Sequence, residues 1–173
     1  MNIEELRARQ APLKQGYTDD PASARTDVTA SATFSDPGIT TTVRTWAGEA
    51  RAGLNPSTGG DGSDACSADM LAEALVGCVG VTMRSVATAM RLEVRSASIT
   101  ARGFFDARGT LGLSRTVPVG VTDIEVVALL ETDATDGQLA KLAELTERYC
   151  VVAQSLDPRP TLRIVRPNAS PSS

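Results

Sequence analysis

The spacing of apolar positions changes several times along the chain, and each change marks an element. Ile3 to Arg9 carry a short amphipathic helical pattern, which Pro12 should stop because proline has no amide proton for the helix ladder. Tyr17 to Ala24, YTDDPASA, is a polar linker. Apolar residues then alternate at Val28, Ala30, Ala32 and Phe34, and again from Ile39 to Trp46. Ser35-Asp36-Pro37-Gly38 supplies turn residues between the two runs, so a β-hairpin is predicted. A third strand over Glu49 to Leu54 leads into Asn55 to Asp64, NPSTGGDGSD, a stretch too rich in glycine, serine and aspartate for regular structure.

From Ser67 to Met90 the period becomes helical, with Ser67 or Asp64 available to cap the exposed amides. At 100° per residue, Leu71, Ala74, Leu75, Cys78, Val81, Thr82 and Ser85 share one face, while Glu73, Gly77, Gly80 and Arg84 lie opposite. Met70, Val76, Val79 and Met83 fill the flanks, so this helix is apolar around most of its circumference and should be central. Gly77 and Gly80 in its middle predict the close approach of another backbone. Strands follow over Glu93 to Phe105 and Thr122 to Glu131, separated by a glycine-containing loop from Ala107 to Gly120. Thr135 to Tyr149 is a second helix, with a Thr135/Gln138 capping box and Leu139, Leu142, Leu145 and Tyr149 at helical spacing. Cys150 lies at its end, Thr161 to Arg166 is a final strand, and Pro167 to Ser173 is expected to be a mobile tail.

Length and composition narrow the function classes. The chain has 173 residues, 42% of them hydrophobic, which suits one domain with an ordinary core. The expected division is an N-terminal helix and linker (1–25), one α+β domain (26–166) and the tail (167–173). A net charge of -4 with scattered arginines offers no basic stripe for a nucleic acid. Leu71 to Val86 is interrupted by Glu73 and Arg84, so no membrane span is expected. The charged start MNIEELRARQ lacks a hydrophobic signal core, and the expectation is a cytoplasmic protein with reduced thiols.

Histidine is absent from the sequence, which excludes imidazole-based triads and zinc sites of mixed cysteine and histidine. Three cysteines remain, Cys66, Cys78 and Cys150, at spacings of 12 and 72 residues that match no zinc signature, so no metal is expected. Cys78 on an apolar helix is either an inert core residue or a nucleophile, and the second role needs its thiol pKa lowered. It sits well past the first helical turn, so a guanidinium from elsewhere in the chain is expected to activate it, with Thr82 as a hydrogen-bond donor one turn later. Cys66, just before the helix, is a rival nucleophile or an incidental loop thiol.

At these residues the sequence resembles the OsmC/Ohr superfamily over roughly Val28 to Val165. The most specific segment is SADMLAEALVGCVGVTMRSVA, similar to the family's central cysteine helix, and the second is ERYCVVAQSL, similar to the segment in which the second cysteine opens a short helix. The resemblance implies antiparallel sheets wrapped around long central helices in an intertwined homodimer. It implies a thiol peroxidase acting on organic hydroperoxides, and on hydrogen peroxide as a further substrate, with Cys78 attacking the peroxide and Cys150 condensing with the resulting sulfenic acid. An external dithiol of lipoyl type would reopen the disulfide, with no prosthetic group. The alternatives are a dimer that binds a small apolar ligand without catalysis and a redox sensor using Cys66. Hydroperoxide-reducing members carry an arginine in the first hairpin and a glutamate ten residues before the cysteine. Here the hairpin turn is SDPG and the second position is Ala68, with Asp69 beside it as a candidate substitute and Arg44, Arg51 and Arg148 as candidate cations.

Overall fold

The computed structural model describes residues 1–35 and 37–167. Asp36 of the expected turn, and nearly all of the expected mobile tail, lie outside the described residues.

Helix α1, Ile3–Asp19, begins at a capping box in which the Asn2 side chain and Glu5 satisfy each other's exposed amides. It runs straight through Pro12, contrary to the predicted stop. Ala8, whose carbonyl loses its helical partner there, is exposed, so that carbonyl can bond water. The expected linker is therefore partly helix and partly a 3-10 turn, Pro21–Ala24. Only the start of α1 is anchored: Ile3 is buried, and Glu4 faces Arg91 at 3.6 Å.

Strands β1 (Ser31–Thr33), β2 (Thr40–Thr45) and β3 (Gly48–Gly53) form the expected antiparallel succession, with Ala32 opposite Val43 and Val43 opposite Ala50. A 3-10 turn, Pro56–Thr58, interrupts the glycine-rich loop, and β4 (Ala65–Cys66) then adds to β3 in parallel. This first sheet is ordered β1-β2-β3-β4.

Helix α2, Ser67–Ala89, matches the predicted helix almost residue for residue. Its cap is different from the expectation. Cys66 occupies the N-cap and makes no side-chain cap bond, Ser67 is the first residue inside the helix, and Asp64 pairs with Arg51 at 3.1 Å. At its other end Leu92 N–H bonds Ala87 O at 2.9 Å and Arg91 N–H bonds Thr88 O at 3.1 Å, a Schellman closure in which Arg91 takes the left-handed φ of 58° that glycine usually supplies. By length and composition α2 could cross a membrane, with a mean hydropathy of 1.4 over its most apolar window, contrary to the expectation that no segment would qualify. Two charges are too few to break so apolar a run.

The remaining elements are β5 (Ser96–Phe104), the single-turn α3 (Ala107–Thr110), β6 (Thr122–Glu131), α4 (Asp136–Tyr149), the single-turn α5 (Val151–Gln154) and β7 (Thr161–Val165). The Thr135/Gln138 capping box opens α4 as predicted. The second sheet is ordered β5-β6-β7, with β5 antiparallel and β7 parallel to β6. Neither sheet is wholly antiparallel, then: α4 and α5 carry the chain back before β7 and so give it the direction of β6.

One stripe of α2, Leu75, Val79, Met83 and Ala87 at a spacing of four, supplies the core. It meets Val126, Ala128 and Leu130 from the inner face of β6, Leu139 and Leu142 from α4, and Cys150 and Ala153 beyond. The first sheet shares little of this core. It meets the rest of the chain mainly where β4 enters α2 and where α3 touches the Pro56–Thr58 turn. Phe34 is 86% and Trp46 is 100% exposed. Gly77 is also open, with nothing within 4 Å of the point where a Cβ would stand, and a Cβ on Gly80 would meet only the Ile99 side chain at 3.4 Å. The predicted approach of another backbone to these glycines is not made among the described residues.

Leu142 is fully buried where α4 meets this stripe. Leu142→Ala should lower unfolding stability by about 2–5 kcal/mol, read as a drop in the urea midpoint. An unchanged midpoint would contradict this placement of the core.

Candidate functional site

Cys78 stands at a seam on α2. On one side of it runs the buried stripe through Leu75 and Val79, and on the other an outer face that exposes Ala74, Gly77 and Val81. The helix period sets this position, since Leu75 and Val79 lie about 60° and 100° to one side and Ala74 and Val81 about 40° and 60° to the other. A thiol here is half-buried, reachable and still in contact with the core.

The joint between α4 and α5 faces it. Cys150 has extended φ and ψ of -75° and 106°, so it ends α4 and serves as the N-cap of α5 at once. Its own amide bonds Thr146 O and its carbonyl accepts from Gln154 N–H, both at 2.9 Å. No side chain caps α5, and its leading amides are free for another acceptor. Val151 and Val152 lie close enough to the Cys78 sulfur to favour its charged form.

Burial pushes the Cys78 thiol up. The Val152 amide, the Cys150 thiol, the Thr82 hydroxyl and the Val151 amide, taken in order of strength, favour the charged sulfur and together bring its pKa below its ordinary value. Cys150 moves the opposite way. Its burial is complete and raises its pKa, the Ala153 amide opposes this in part, and the bond it gives to Cys78 keeps the proton on Cys150. The arrangement is an accessible sulfur that gives up its proton more readily than usual beside an enclosed one that holds its proton more tightly. Chemically it offers a nucleophile with a second thiol beside it.

Thr82 therefore lies where the sequence suggested, and Cys78 and Cys150 are brought together. The other candidates are not. Asp69 is exposed, about two and a half helical turns away and on the opposite face of α2. Cys66 lies about 18 Å along the helix axis from Cys78, on the wall of a cavity of about 400 Å³ with Leu54, Leu71 and Phe105. Arg51 pairs with Asp64, Arg148 stacks on the Tyr149 ring at 5.4 Å, and Arg44 is exposed on β2. The strongest influences on Cys78 include no guanidinium, contrary to expectation, because the α5 amides take that place. Val151 and Val152 were not singled out in the sequence, since amide groups leave no residue-type signal. The sign that could have found them is a helix that ends at Cys150 and restarts at once.

The family model for OsmC-like protein matches residues 60–165, more than half of the chain. Among solved structures, an OsmC-like protein of unknown function from Vibrio cholerae is 17% identical, with a TM-score of 0.67 over 82% of this chain and 100% of its own. An OsmC-like protein from Mycoplasma pneumoniae is 11% identical, with a TM-score of 0.67 over 82% and 97%. An organic hydroperoxide resistance protein from Elizabethkingia anophelis is 15% identical, with a TM-score of 0.64 over 84% and 99%. These likenesses establish the α+β fold. No curated protein matches the chain.

The directions of the two thiol pKa values predict how alkylation should depend on pH. Because only the anion reacts, iodoacetamide labelling of Cys78 should reach half its maximal rate at a lower pH in the folded protein than in the denatured chain, and fall as pH drops through that value. Thr82→Val should move the midpoint up by about half a pH unit. Peptide mapping separates the cysteines, and identical folded and denatured midpoints would contradict the site.

Proposed function

The chain belongs to the OsmC-like protein family, and from that premise we propose that it is a thiol peroxidase that reduces organic hydroperoxides through Cys78 and Cys150. The observation that carries this reading is the thiol pair itself: a half-exposed sulfur with its pKa held down, in contact with a buried thiol whose pKa is held up. The reaction needs both properties.

In the first step the Cys78 thiolate attacks the distal peroxide oxygen. The O–O bond breaks, the sulfur becomes a sulfenic acid, and the departing alkoxide takes a proton to leave as an alcohol. The Cys150 thiol, already sharing its proton toward Cys78, is a nearby source of that proton. Its sulfur then attacks the sulfenic sulfur, the S–O bond breaks, hydroxide leaves and takes a proton from solvent to become water, and a Cys78–Cys150 disulfide forms. An external dithiol, of lipoyl type on the family resemblance, supplies two electrons and two protons to reopen it. No prosthetic group enters the scheme.

Cys66 takes no part. At about 18 Å along α2 it cannot reach Cys78, since a disulfide needs Cα atoms within about 7 Å. The reading includes a homodimer. Support comes from the apolar residues Val28, Phe34, Ile39 and Trp46 left exposed on and around the first sheet, and from the open outer face of α2 at Gly77 and Val81.

Single-turnover consumption of cumene hydroperoxide tests the chemistry. Cys78→Ser should abolish it, because a serine hydroxyl provides neither the anion nor the soft nucleophile. Cys150→Ser should consume one equivalent and stop at a sulfenic acid, and Cys66→Ala should match the parent protein. Full turnover in Cys78→Ser would sink the mechanism, and inert thiols in the parent would favour apolar-ligand binding. Light scattering should return roughly twice the 18.1 kDa chain mass, and the monomer mass at micromolar concentration would rule out the dimer.

A further inference from the structure

Helix α5 has four residues, a single turn, and a segment of that length does not hold its own direction in water. Its orientation nevertheless decides whether the Val151 and Val152 amides reach Cys78. Hydrogen bonds inside the turn, such as Gln154 N–H to Cys150 O at 2.9 Å and Ser155 Oγ to Val151 O at 2.9 Å, shape it without aiming it. The aim has to come from outside.

Gln154 supplies the outside contact. Its Nε2 donates to the backbone carbonyl of Glu147 at 2.7 Å, and among the described residues this is the one side-chain hydrogen bond linking α5 to α4. Glu147 O is one of the last-turn carbonyls of α4 that the break at Cys150 leaves without a helical partner. Glu147 is itself held, since its carboxylate accepts from Leu162 N–H of β7 at 3.0 Å. A continuous line of contacts therefore runs from β7 through Glu147 and Gln154 to α5. On the other side of the turn, buried Ala153 presses it to the core.

We propose that Gln154 is a positioning residue, a clamp across the α4–α5 joint that keeps the leading amides of α5 on the Cys78 sulfur. It touches neither thiol nor substrate. The proposal deepens the thiol-peroxidase reading and rests on it.

The test is a pH titration of thiolate absorbance near 240 nm in full-length protein carrying Cys66→Ala, with Cys78→Ser added to assign the step. Gln154→Met keeps the length of the side chain and removes the donor. It should raise the Cys78 midpoint by about half to one pH unit, because a looser turn bonds the anion less well. Peroxide kcat/KM should fall about three- to tenfold below that midpoint and converge with the parent at high pH. Gln138→Ala removes the capping glutamine at the far end of α4 and controls for a general loss of stability. It should lower the melting temperature and leave the midpoint in place. An unmoved midpoint in Gln154→Met, or an equal movement in Gln138→Ala, would overturn the positioning role. A parent midpoint equal to that of the denatured chain would overturn the thiolate reading along with it, so the two failures are distinguishable.

Discussion

The groups that lower the Cys78 thiol pKa come from two separate stretches of chain, and each demands something of the fold. Thr82 demands that α2 be intact for a full turn beyond the cysteine. Val151 and Val152 demand that α4 should not continue. Had it run on through Cys150, those two amides would bond the carbonyls of Glu147 and Arg148, four residues back, and none would be left for a thiolate. The extended conformation at Cys150 is therefore more than a link between helices, since it frees donors for the sulfur and leaves carbonyls needing partners. Gln154 meets one of those needs. The break and the lowered thiol pKa are two sides of one arrangement.

Neutral dipoles differ from a guanidinium in what they ask of the protein. A full positive charge acts over several ångströms and tolerates loose placement, whereas an N–H dipole is effective only at hydrogen-bonding distance. A site stabilised by amides must be built on rigid elements, and Cys150 and the buried face of α5 are packed into the core with Leu142 and Leu75. There is a kinetic side as well. Nucleophilicity falls as a thiol's pKa falls, so a sulfur lowered moderately by dipoles keeps more intrinsic reactivity than one lowered far by a cation.

Much of this was legible in the sequence, for identifiable reasons. The central helix and the Thr135/Gln138 start of α4 were readable because an apolar period and a capping box are local signals. The pairing of Cys78 with Cys150 followed from resemblance alone, since a separation of 72 residues carries no geometric information. Three features were hidden because they depend on what the folded chain places around them. Pro12 does not end α1, because the carbonyl it strands is at the surface. Asp64 does not cap α2 and pairs with Arg51 on β3 instead. Amides, not an arginine, lower Cys78, and every residue type but proline has an amide N–H.

Position on the seam of α2 also decides how the thiol meets its surroundings. Val81, 75% exposed, and Gly77, with open space around it, lie on the same outer face that borders Cys78. In the proposed dimer, a surface that covers this face also becomes a wall of the site. Such a wall removes water from the sulfur, which raises the cost of its charge, and in the drier setting the amide and hydroxyl bonds grow stronger. The two effects oppose each other. Which prevails depends on whether every donor stays in place, so the stiffness of the α4–α5 joint and the covering of α2 act on the same quantity, the fraction of Cys78 that is anionic in the proposed reaction.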